Sequence, residues 1–284
     1  MIPTTFEYAR ATSLDDALAK LKAANGDGKF IAGGHSLVPL MKLRLAEPTL
    51  LIDIARIPGL SGIREKNGRI EIGAGTVHHD VSSSAWLRQQ CPVVADAAAT
   101  IGDPQVRNRG TLGGSLAHAD PAADYPAAML AVDAEMHIAG PRGARTVKAT
   151  DFFQGLFTVD LAADEILVSV QFNPVRVSAY AKLYQRASHF AIVGVAAALD
   201  VSGGTIQSAR IGLTGAGPRA VRLARVEQAL VGQPASKDTC AAATKDAGAD
   251  LSVVNADLHA SEEYRRAMIA VFTRRALEGA IARL

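Results

Sequence analysis

The spacing of apolar residues near the start of the chain predicts a helix followed by two strands. Ser13 is a candidate N-cap, Asn25-Gly26 is a stop, and four apolar residues between them recur at helical spacing: Leu14, Ala17, Leu18 and Leu21. The apolar run 30–32 then predicts a strand, and the run 50–54 predicts a second strand. Together they indicate a small β-α-β unit that ends before Pro58-Gly59.

The central part of the chain predicts a mixture of strands and helices. Ile70 and Ile72 alternate with polar residues, as in a half-buried strand. The other predicted elements are helices over 81–90, 92–100 and 126–132, and strands over 136–138, 146–148 and 165–172. Asn173-Pro174 is a natural boundary, because proline disfavours helix before it and ends a strand ladder.

The last part of the chain predicts a sheet followed by helices. Three antiparallel strands are expected over 182–186, 191–201 and 205–213, and helical segments are expected to run from Arg219, Ser236 and Ser261. The whole pattern therefore predicts an α+β protein with a larger domain over 1–175 and a smaller domain over 178–284.

Composition and charge limit the kinds of partner and the cellular compartment that the sequence predicts. The 284 residues carry 30 Lys and Arg against 28 Asp and Glu without a basic run, so no nucleic-acid partner is expected. The longest apolar stretch, Phe190–Leu199, is too short for a membrane span and predicts a core strand. The first residues lack the order of a signal peptide, which predicts a cytoplasmic protein; peripheral contact with the inner membrane stays open.

Cysteines and neighbouring histidines give no metal site. Cys91 and Cys240 lie far apart, and iron-sulfur clusters generally need four thiolates, so the chain is not expected to hold a cluster by itself. His78 and His79 are adjacent, and adjacent side chains of an extended segment point to opposite faces. We therefore interpret this pair as a turn or helix start rather than as metal ligands.

Two double-glycine loops are the main candidates for chemistry. AGGHSLVP begins at residue 32, directly after the predicted strand, and TLGGSLAHADPAAD begins at residue 111. Glycine lets a ligand approach backbone N–H groups, and successive N–H groups form an anion-binding concavity. Two tight turns with nothing bound are the alternative. Neither the dinucleotide motif G-x-G-x-x-G nor a P-loop is present, so the pattern favours a different kind of phosphate site.

Three longer stretches resemble one known family. They are AGGHSLVPLMKLRL from residue 32, IGDPQVRNRGTLGGSLAHADPAADYPA from residue 101 and KLYQRASHFAIVGVAAAL from residue 182. They resemble the FAD-binding medium subunits of molybdenum hydroxylases, of the aerobic carbon monoxide dehydrogenase and xanthine dehydrogenase type. The resemblance implies a PCMH-type FAD-binding domain, with a small β-α-β subdomain and a larger mixed α/β subdomain. A C-terminal domain with a three-stranded antiparallel sheet and helices would follow it.

The resemblance also implies which residues contact a non-covalently bound FAD. The loop around its pyrophosphate comprises Phe30, Ile31, Ala32, Gly33, Gly34, His35, Ser36 and Leu37. The loop on the opposite side comprises Gly110, Thr111, Gly113, Gly114 and Ser115. Further contacts are implied or expected for Ile101, Gly102, Val106, His118, Asp120, Asp124, Ile166, Leu167, Lys182 and Phe190.

Several of these residues have a more specific implied role. Asp124 corresponds to an acidic residue near the sugar or phosphates, Lys182 to a lysine near the flavin, and Phe190 to an aromatic that shields one flavin face. The sequence departs from the family pattern at His189, where an aspartate is common. Arg107 and Arg109 would either offer charge to phosphates or face solvent or a partner.

The resemblance implies that this chain is one subunit of a larger oxidoreductase. Its chemistry would be carried by FAD, and no side chain is predicted to be catalytic. Electrons would come from a large subunit with the molybdenum cofactor, through [2Fe-2S] clusters of a small subunit, and leave to quinone, NAD or oxygen. A dimer of heterotrimers is expected. The substrate stays open among carbon monoxide, a purine, an aldehyde and an N-heterocycle.

Two other functions are compatible with the same residues. The first is a self-contained flavin oxidase with its own substrate pocket, which requires a substrate-binding cap and in one form has His35 bonded covalently to the flavin. The second is a docking subunit that retains the fold without turnover. The intact glycine loops favour the electron-transfer subunit over the docking subunit.

Overall fold

The computed structural model describes residues 2–284, and its chain begins with a small parallel sheet. Strands β1 (Glu7–Arg10), β2 (Gly28–Ile31) and β3 (Leu50–Asp53) lie in the order β1-β3-β2. Helix α1 (Leu14–Ala23) begins at its predicted cap, where the Ser13 hydroxyl accepts from the Asp16 N–H at 3.1 Å. The predicted β-α-β unit is present, and it also contains strand β1 and helix α2 (Leu37–Lys42), neither of which was predicted.

A five-stranded antiparallel sheet forms the centre of the next part of the chain. Its order is β4-β5-β10-β6-β7. The strands are β4 (Ile63–Lys66), β5 (Arg69–Gly73), β6 (Glu135–Gly140), β7 (Gly143–Lys148) and β10 (Ile166–Phe172). A separate two-stranded hairpin is formed by β8 (Phe153–Gly155) and β9 (Thr158–Val159).

Seven short helices accompany this sheet. They are α3 (His78–Ser83), α4 (Ala85–Gln90), α5 (Pro92–Ala99), α6 (Pro104–Arg107), α7 (Leu112–His118), α8 (Tyr125–Ala131) and α9 (Ala149–Phe152). The single helix predicted over 81–90 was wrong. Ser84 is extended, with ψ 106°, and its hydroxyl accepts from the Leu87 N–H at 3.2 Å, so it ends α3 and caps α4.

The C-terminal part is an antiparallel sheet with helices packed on it. Strands β11 (Val177–Tyr184), β12 (Ala191–Ser202), β13 (Thr205–Thr214) and β14 (Val221–Arg222) follow one another across the sheet. The three long strands were predicted, although β11 begins five residues before the predicted 182. The two-residue β14 adds a fourth strand.

Three helices follow the sheet: α10 (Ala224–Leu230), α11 (Lys237–Ala243) and α12 (Glu262–Ile281). Ser236 and Ser261 cap α11 and α12, as predicted. The helix predicted from Arg219 begins only at Ala224, because residues 221–222 pair with β13 as β14. No helix in residues 2–284 is both long and apolar enough to cross a membrane.

The two parts of the chain share buried surface. Ala196, Ala198 and Ala220 of the C-terminal part belong to the larger apolar core of the first part. At Gly212 of β13, a Cβ atom would collide with the Ala127 carbonyl of α8, so only glycine allows this close approach. This packing fixes the C-terminal sheet against the helices that carry the candidate site.

Candidate functional site

The first glycine loop presents free backbone donors. It joins the end of β2 to the start of α2, and Gly34 has a positive φ of 76° that favours glycine. The N–H groups of residues 33–37 have no hydrogen-bond acceptor within residues 2–284. The Ser36 hydroxyl also has no partner in this part of the chain. Successive free N–H groups of this kind suit the oxygens of a phosphate.

The two glycine loops touch each other. A Cβ atom on Gly33 would overlap the carbonyl oxygen of Arg109 and lie 2.7 Å from the Cα of Gly110. Glycine at position 33 is therefore required by the contact between the loops. Glycine at this position therefore has a structural role, in addition to the role in ligand binding that the sequence predicts.

The second glycine loop differs from the expected row of free donors. The Gly113 N–H donates to the Ala74 carbonyl at 2.8 Å, and the Gly114 N–H donates to the Thr111 hydroxyl at 3.1 Å. Thr111 is the N-cap of α7, so the second glycine pair forms the first turn of a helix. Gly114 itself is exposed, and a Cβ there would approach only the Thr111 hydroxyl. The loop thus offers an open glycine surface rather than a second set of free N–H groups.

An extended segment over 74–78 holds the second loop in place. Its Thr76 carbonyl accepts from the Leu112 N–H at 2.9 Å, and its His78 N–H donates to the Gly110 carbonyl at 2.9 Å. His78 is the first residue of α3, as the predicted helix start requires. It is buried, whereas His79 is exposed, so the two histidines lie in different environments. In the described part of the chain, no three metal-ligating side chains come together.

Asp124 and Lys182 form a buried ion pair. The Lys182 Nζ lies 2.8 Å from one Asp124 carboxylate oxygen, and the Tyr180 hydroxyl donates to the same oxygen at 2.6 Å. The Lys182 and Asp124 side chains are only 2% and 4% exposed, so both charges have lost most of their hydration. Each charge is balanced by the other. Burial raises the pKa of Asp124, although Lys182 and Tyr180 oppose that rise. Burial likewise lowers the pKa of Lys182.

Side chains of Lys182, Arg107 and His189 fix the segment over 100–102. Lys182 Nζ also donates to the Thr100 carbonyl at 2.8 Å, and the Arg107 guanidinium donates to the Gly102 carbonyl at 2.8 Å. The Nδ1 of His189 lies 2.9 Å from the same Gly102 carbonyl oxygen. Arg107 therefore fastens its own loop, while Arg109 is exposed. The C-terminal sheet, through Lys182 and His189, supports the loop that carries Ile101 and Gly102.

Phe190 lines a cavity between the two parts of the chain. The cavity measures about 190 Å³ and is also lined by Pro121 and Ala122, by Ile192 of β12, and by the buried Arg265 of α12. The Phe190 side chain is 50% exposed. The structure therefore leaves this aromatic side chain open to contact with a ligand.

The remaining predicted residues lie around α7 and β10. Ile166 and Leu167 are buried in the core at the start of β10, against which α7 packs. The His118 ring lies 5.2 Å from the exposed Phe157 ring, and burial lowers the pKa of His118. Asp120 Oδ1 accepts from the Ala122 N–H at 2.8 Å and so fixes its own loop.

The sequence analysis gave no role to Tyr180 or His189, and only Tyr180 carried a signal that could have revealed its role. Tyr180 lies two residues before Lys182 on one strand, and the spacing of two places both side chains on one face, where both reach Asp124. His189 has a positive φ of 61°, which no sequence pattern revealed. By contrast, both cysteines are buried, and burial raises the pKa of Cys91 to about 12 and that of Cys240 to about 11.

Comparison with known proteins gives the family. Residues 4–174 match the FAD binding domain in molybdopterin dehydrogenase, and residues 178–280 match the CO dehydrogenase flavoprotein C-terminal domain. The carbon monoxide dehydrogenase medium chain of Hydrogenophaga pseudoflava is 42% identical, over 100% of this chain and 99% of the relative. The nicotine 6-hydroxylase medium subunit of Paenarthrobacter nicotinovorans is 36% identical over 97% of each chain.

Solved structures agree with this assignment. A carbon monoxide dehydrogenase structure from Hydrogenophaga pseudoflava, which lacks the Mo-pyranopterin moiety of the molybdenum cofactor, matches with a TM-score of 0.94 at 43% identity. This match covers 100% of this chain and 99% of that chain. Quinoline 2-oxidoreductase from Pseudomonas putida 86 matches with a TM-score of 0.92 at 33% identity, over 99% of each chain. As its sequence motifs predict, the chain belongs to the family of FAD-binding medium subunits of molybdenum hydroxylases.

Proposed function

We propose that this chain binds FAD non-covalently and transfers electrons from an iron-sulfur partner subunit to an external acceptor. The observation that carries the proposal is the row of free backbone N–H groups over 33–37, because an FAD pyrophosphate supplies the acceptor oxygens that this row lacks. Bound FAD would supply the chemistry, since its ring accepts and releases one or two electrons. The residues of the chain bind and orient it.

The residues predicted from the sequence fit this cofactor in three groups. The free Ser36 hydroxyl supplements the N–H groups of the first loop, and the exposed Gly114 surface leaves room on the opposite side. The Lys182–Asp124 pair supports the segment over 100–102, which would line the flavin or adenine with Ile101, Gly102 and Val106. Phe190 would cover one face of the flavin.

His35 would contact the pyrophosphate region without a covalent bond to the flavin. It lies between Gly34 and Ser36, inside the row of free N–H groups, and its side chain is exposed. A covalent bond requires the flavin ring at this position, whereas the free N–H groups favour the phosphates there. Flavin released by denaturing the protein would agree with this placement.

The partners would be those of a molybdenum hydroxylase. We propose a small subunit with [2Fe-2S] clusters and a large subunit with the molybdenum cofactor, assembled as a dimer of heterotrimers. The relatives are named for carbon monoxide dehydrogenase and nicotine 6-hydroxylase, so one medium-subunit fold accompanies very different substrates. The substrate would accordingly bind to the large subunit. Quinone, NAD and oxygen are the candidate acceptors; quinone would bring the complex to the inner membrane.

Isolation of the complex from its own host tests this proposal. The tagged chain would be purified, and the co-purifying polypeptides, the visible spectrum, and the iron and molybdenum contents would be measured. Two partner subunits with iron, molybdenum and FAD released by acid would support the electron-transfer role. A lone flavoprotein without metals that oxidises a substrate by itself would instead support the oxidase.

A further inference from the structure

The buried His78 side chain lies directly against the junction of the two glycine loops. It is 4% exposed, and a Cβ atom on Gly110 would lie 2.6 Å from its Nε2. Gly110 in turn contacts Gly33 of the first loop. The Nε2 atom therefore reaches the place where the two loops meet.

A tyrosine determines which nitrogen of this ring carries the proton. The His78 Nδ1 lies 3.2 Å from the hydroxyl oxygen of Tyr125, and the two ring centroids are 5.3 Å apart. Tyr125 is completely buried, and its hydroxyl has no other partner within residues 2–284. If Nδ1 carried the proton, the buried hydroxyl hydrogen would have no acceptor, which is costly. The hydroxyl therefore donates to Nδ1, and the proton of the neutral imidazole is on Nε2.

This Nε2–H has no acceptor in the described part of the chain. In the described part of the chain, the side-chain nitrogens that have neither solvent exposure nor a hydrogen-bond partner belong to Arg69, His137 and Arg265. The Nε2 of His78 is not among them, so it keeps some exposure to solvent. Its donor is therefore accessible. Burial, with smaller contributions from His35 and Arg107, lowers the pKa of His78 to about 4, so the ring is neutral near pH 7.

We propose that the Nε2–H of His78 is a hydrogen-bond donor to the diphosphate of the bound dinucleotide. This inference rests on the proposed FAD site and adds a side-chain donor to the backbone donors over 33–37. Tyr125 acts as the positioning residue, because its hydroxyl fixes the tautomer of His78. A neutral donor contributes a directional bond to the phosphate, whereas Arg107 uses one guanidinium nitrogen to hold the carbonyls of Ile101 and Gly102.

The test compares FAD affinity in variants of the full-length, flavin-depleted protein. His78→Asn retains an atom at the Nδ1 position and loses the Nε2 donor, whereas His78→Gln places an amide donor near the Nε2 position. We expect His78→Asn to raise the Kd for FAD roughly ten- to a hundredfold, the range for a bond to a charged acceptor, and His78→Gln to recover most of the affinity. His79→Asn, at the exposed neighbour, should leave the Kd unchanged.

Phosphorus NMR of bound FAD distinguishes direct contact from a general distortion of the loop. We expect the diphosphate resonances of the His78→Asn complex to differ from those of the wild-type and His78→Gln complexes. Equal Kd values for wild type and His78→Asn would overturn the inference. Equal losses in His78→Asn and His78→Gln with unmoved phosphorus resonances would overturn it as well. A wild-type chain that fails to bind FAD would instead refute the proposed function.

Nitrogen NMR of the wild-type protein tests the inference even where a variant does not fold. With labelled histidine, we expect the His78 ring to be protonated at Nε2, and its Nε2 resonance to move when FAD is added. Protonation at Nδ1, or an Nε2 resonance that FAD leaves unchanged, would refute the assignment.

Discussion

The Nδ1 of His189 lies 2.9 Å from the carbonyl oxygen of Gly102, and both residues have positive φ angles, 61° and 49°. Such backbone is ordinary for glycine, but it costs about 1–3 kcal/mol for a histidine. The bond to Gly102 offsets part of this cost. His189 therefore joins the turn before Phe190 to the loop that carries Ile101.

Replacing His189 should separate its two contributions. Asparagine tolerates positive φ and retains a side-chain donor, whereas alanine has the same backbone strain and no donor. We expect His189→Ala to lower the free energy of unfolding by about 1 kcal/mol, the typical value of one hydrogen bond, and to weaken FAD binding. His189→Asn should stay closer to wild type in both. Urea unfolding and FAD titration give these values, and equal behaviour of the two variants would contradict the role of the bond.

The buried pair of Lys182 and Asp124 should show strong coupling in a double-mutant cycle. Lys182→Met leaves a buried carboxylate without its cation, which should cost about 3–5 kcal/mol of unfolding free energy. Adding Asp124→Asn removes that unpaired charge, so the double variant should lose less than the sum of the single variants. Unfolding in urea measures all four proteins. Strict additivity would show that the two side chains do not stabilise each other.

Glu165 should make stability depend on acid pH. Hydrogen bonds from Arg145, at 2.7 and 2.8 Å, lower the pKa of this 5%-exposed carboxyl from 4.5 to about 2. Between these values the unfolded chain binds more protons than the folded chain, so stability falls as the pH falls. The full effect is on the order of 3 kcal/mol, at about 1.4 kcal/mol per pKa unit. It is present above pH 4.5 and absent below pH 2.

Glu165→Gln provides the measurement for this pH dependence. Unfolding by urea at pH 7 and at pH 3 gives the difference for each protein. We expect wild type to lose more stability than Glu165→Gln between these two pH values. An equal loss in both would assign the acid sensitivity to other carboxyl groups.

Alanine at the two glycine loops should have different effects. A Cβ on Gly33 would overlap backbone of the second loop, so Gly33→Ala should cost about 1–3 kcal/mol of stability and also weaken flavin binding. A Cβ on Gly114 would lie 2.8 Å from the capping Thr111 hydroxyl and close to no other atom, so Gly114→Ala should cost about 1 kcal/mol or less through a shift of that cap.

Flavin retention then shows what Gly114 contributes. If the open surface at Gly114 faces FAD, Gly114→Ala should lower flavin occupancy at nearly unchanged melting temperature. Gly33→Ala should lower both. Normal flavin content in Gly114→Ala would remove the second loop from the cofactor site.

The sequence predicted features that depend on local chemistry. Ser13 was recognisable as an N-cap, and the helices near Ser236 and Ser261 were predicted to begin there; in the structure all three serines are N-caps. The break at Ser84 was missed, since the apolar period continues across it. The bond between His189 and Gly102 joins residues 87 positions apart, and no local pattern encodes such a contact. The free N–H groups of the first loop and the satisfied ones of the second likewise depend on tertiary neighbours.

The contact between β13 and the segment over 121–123 has a consequence for how the chain folds. The Thr214 hydroxyl donates to the carbonyls of Pro121 and Ala123, and the Gly215 N–H donates to Pro121 at 2.8 Å. A fragment that ends near Asn173 would leave these acceptors and part of its apolar core uncovered. The boundary between the two matched regions therefore does not separate two independently stable units. The whole chain should melt in a single transition.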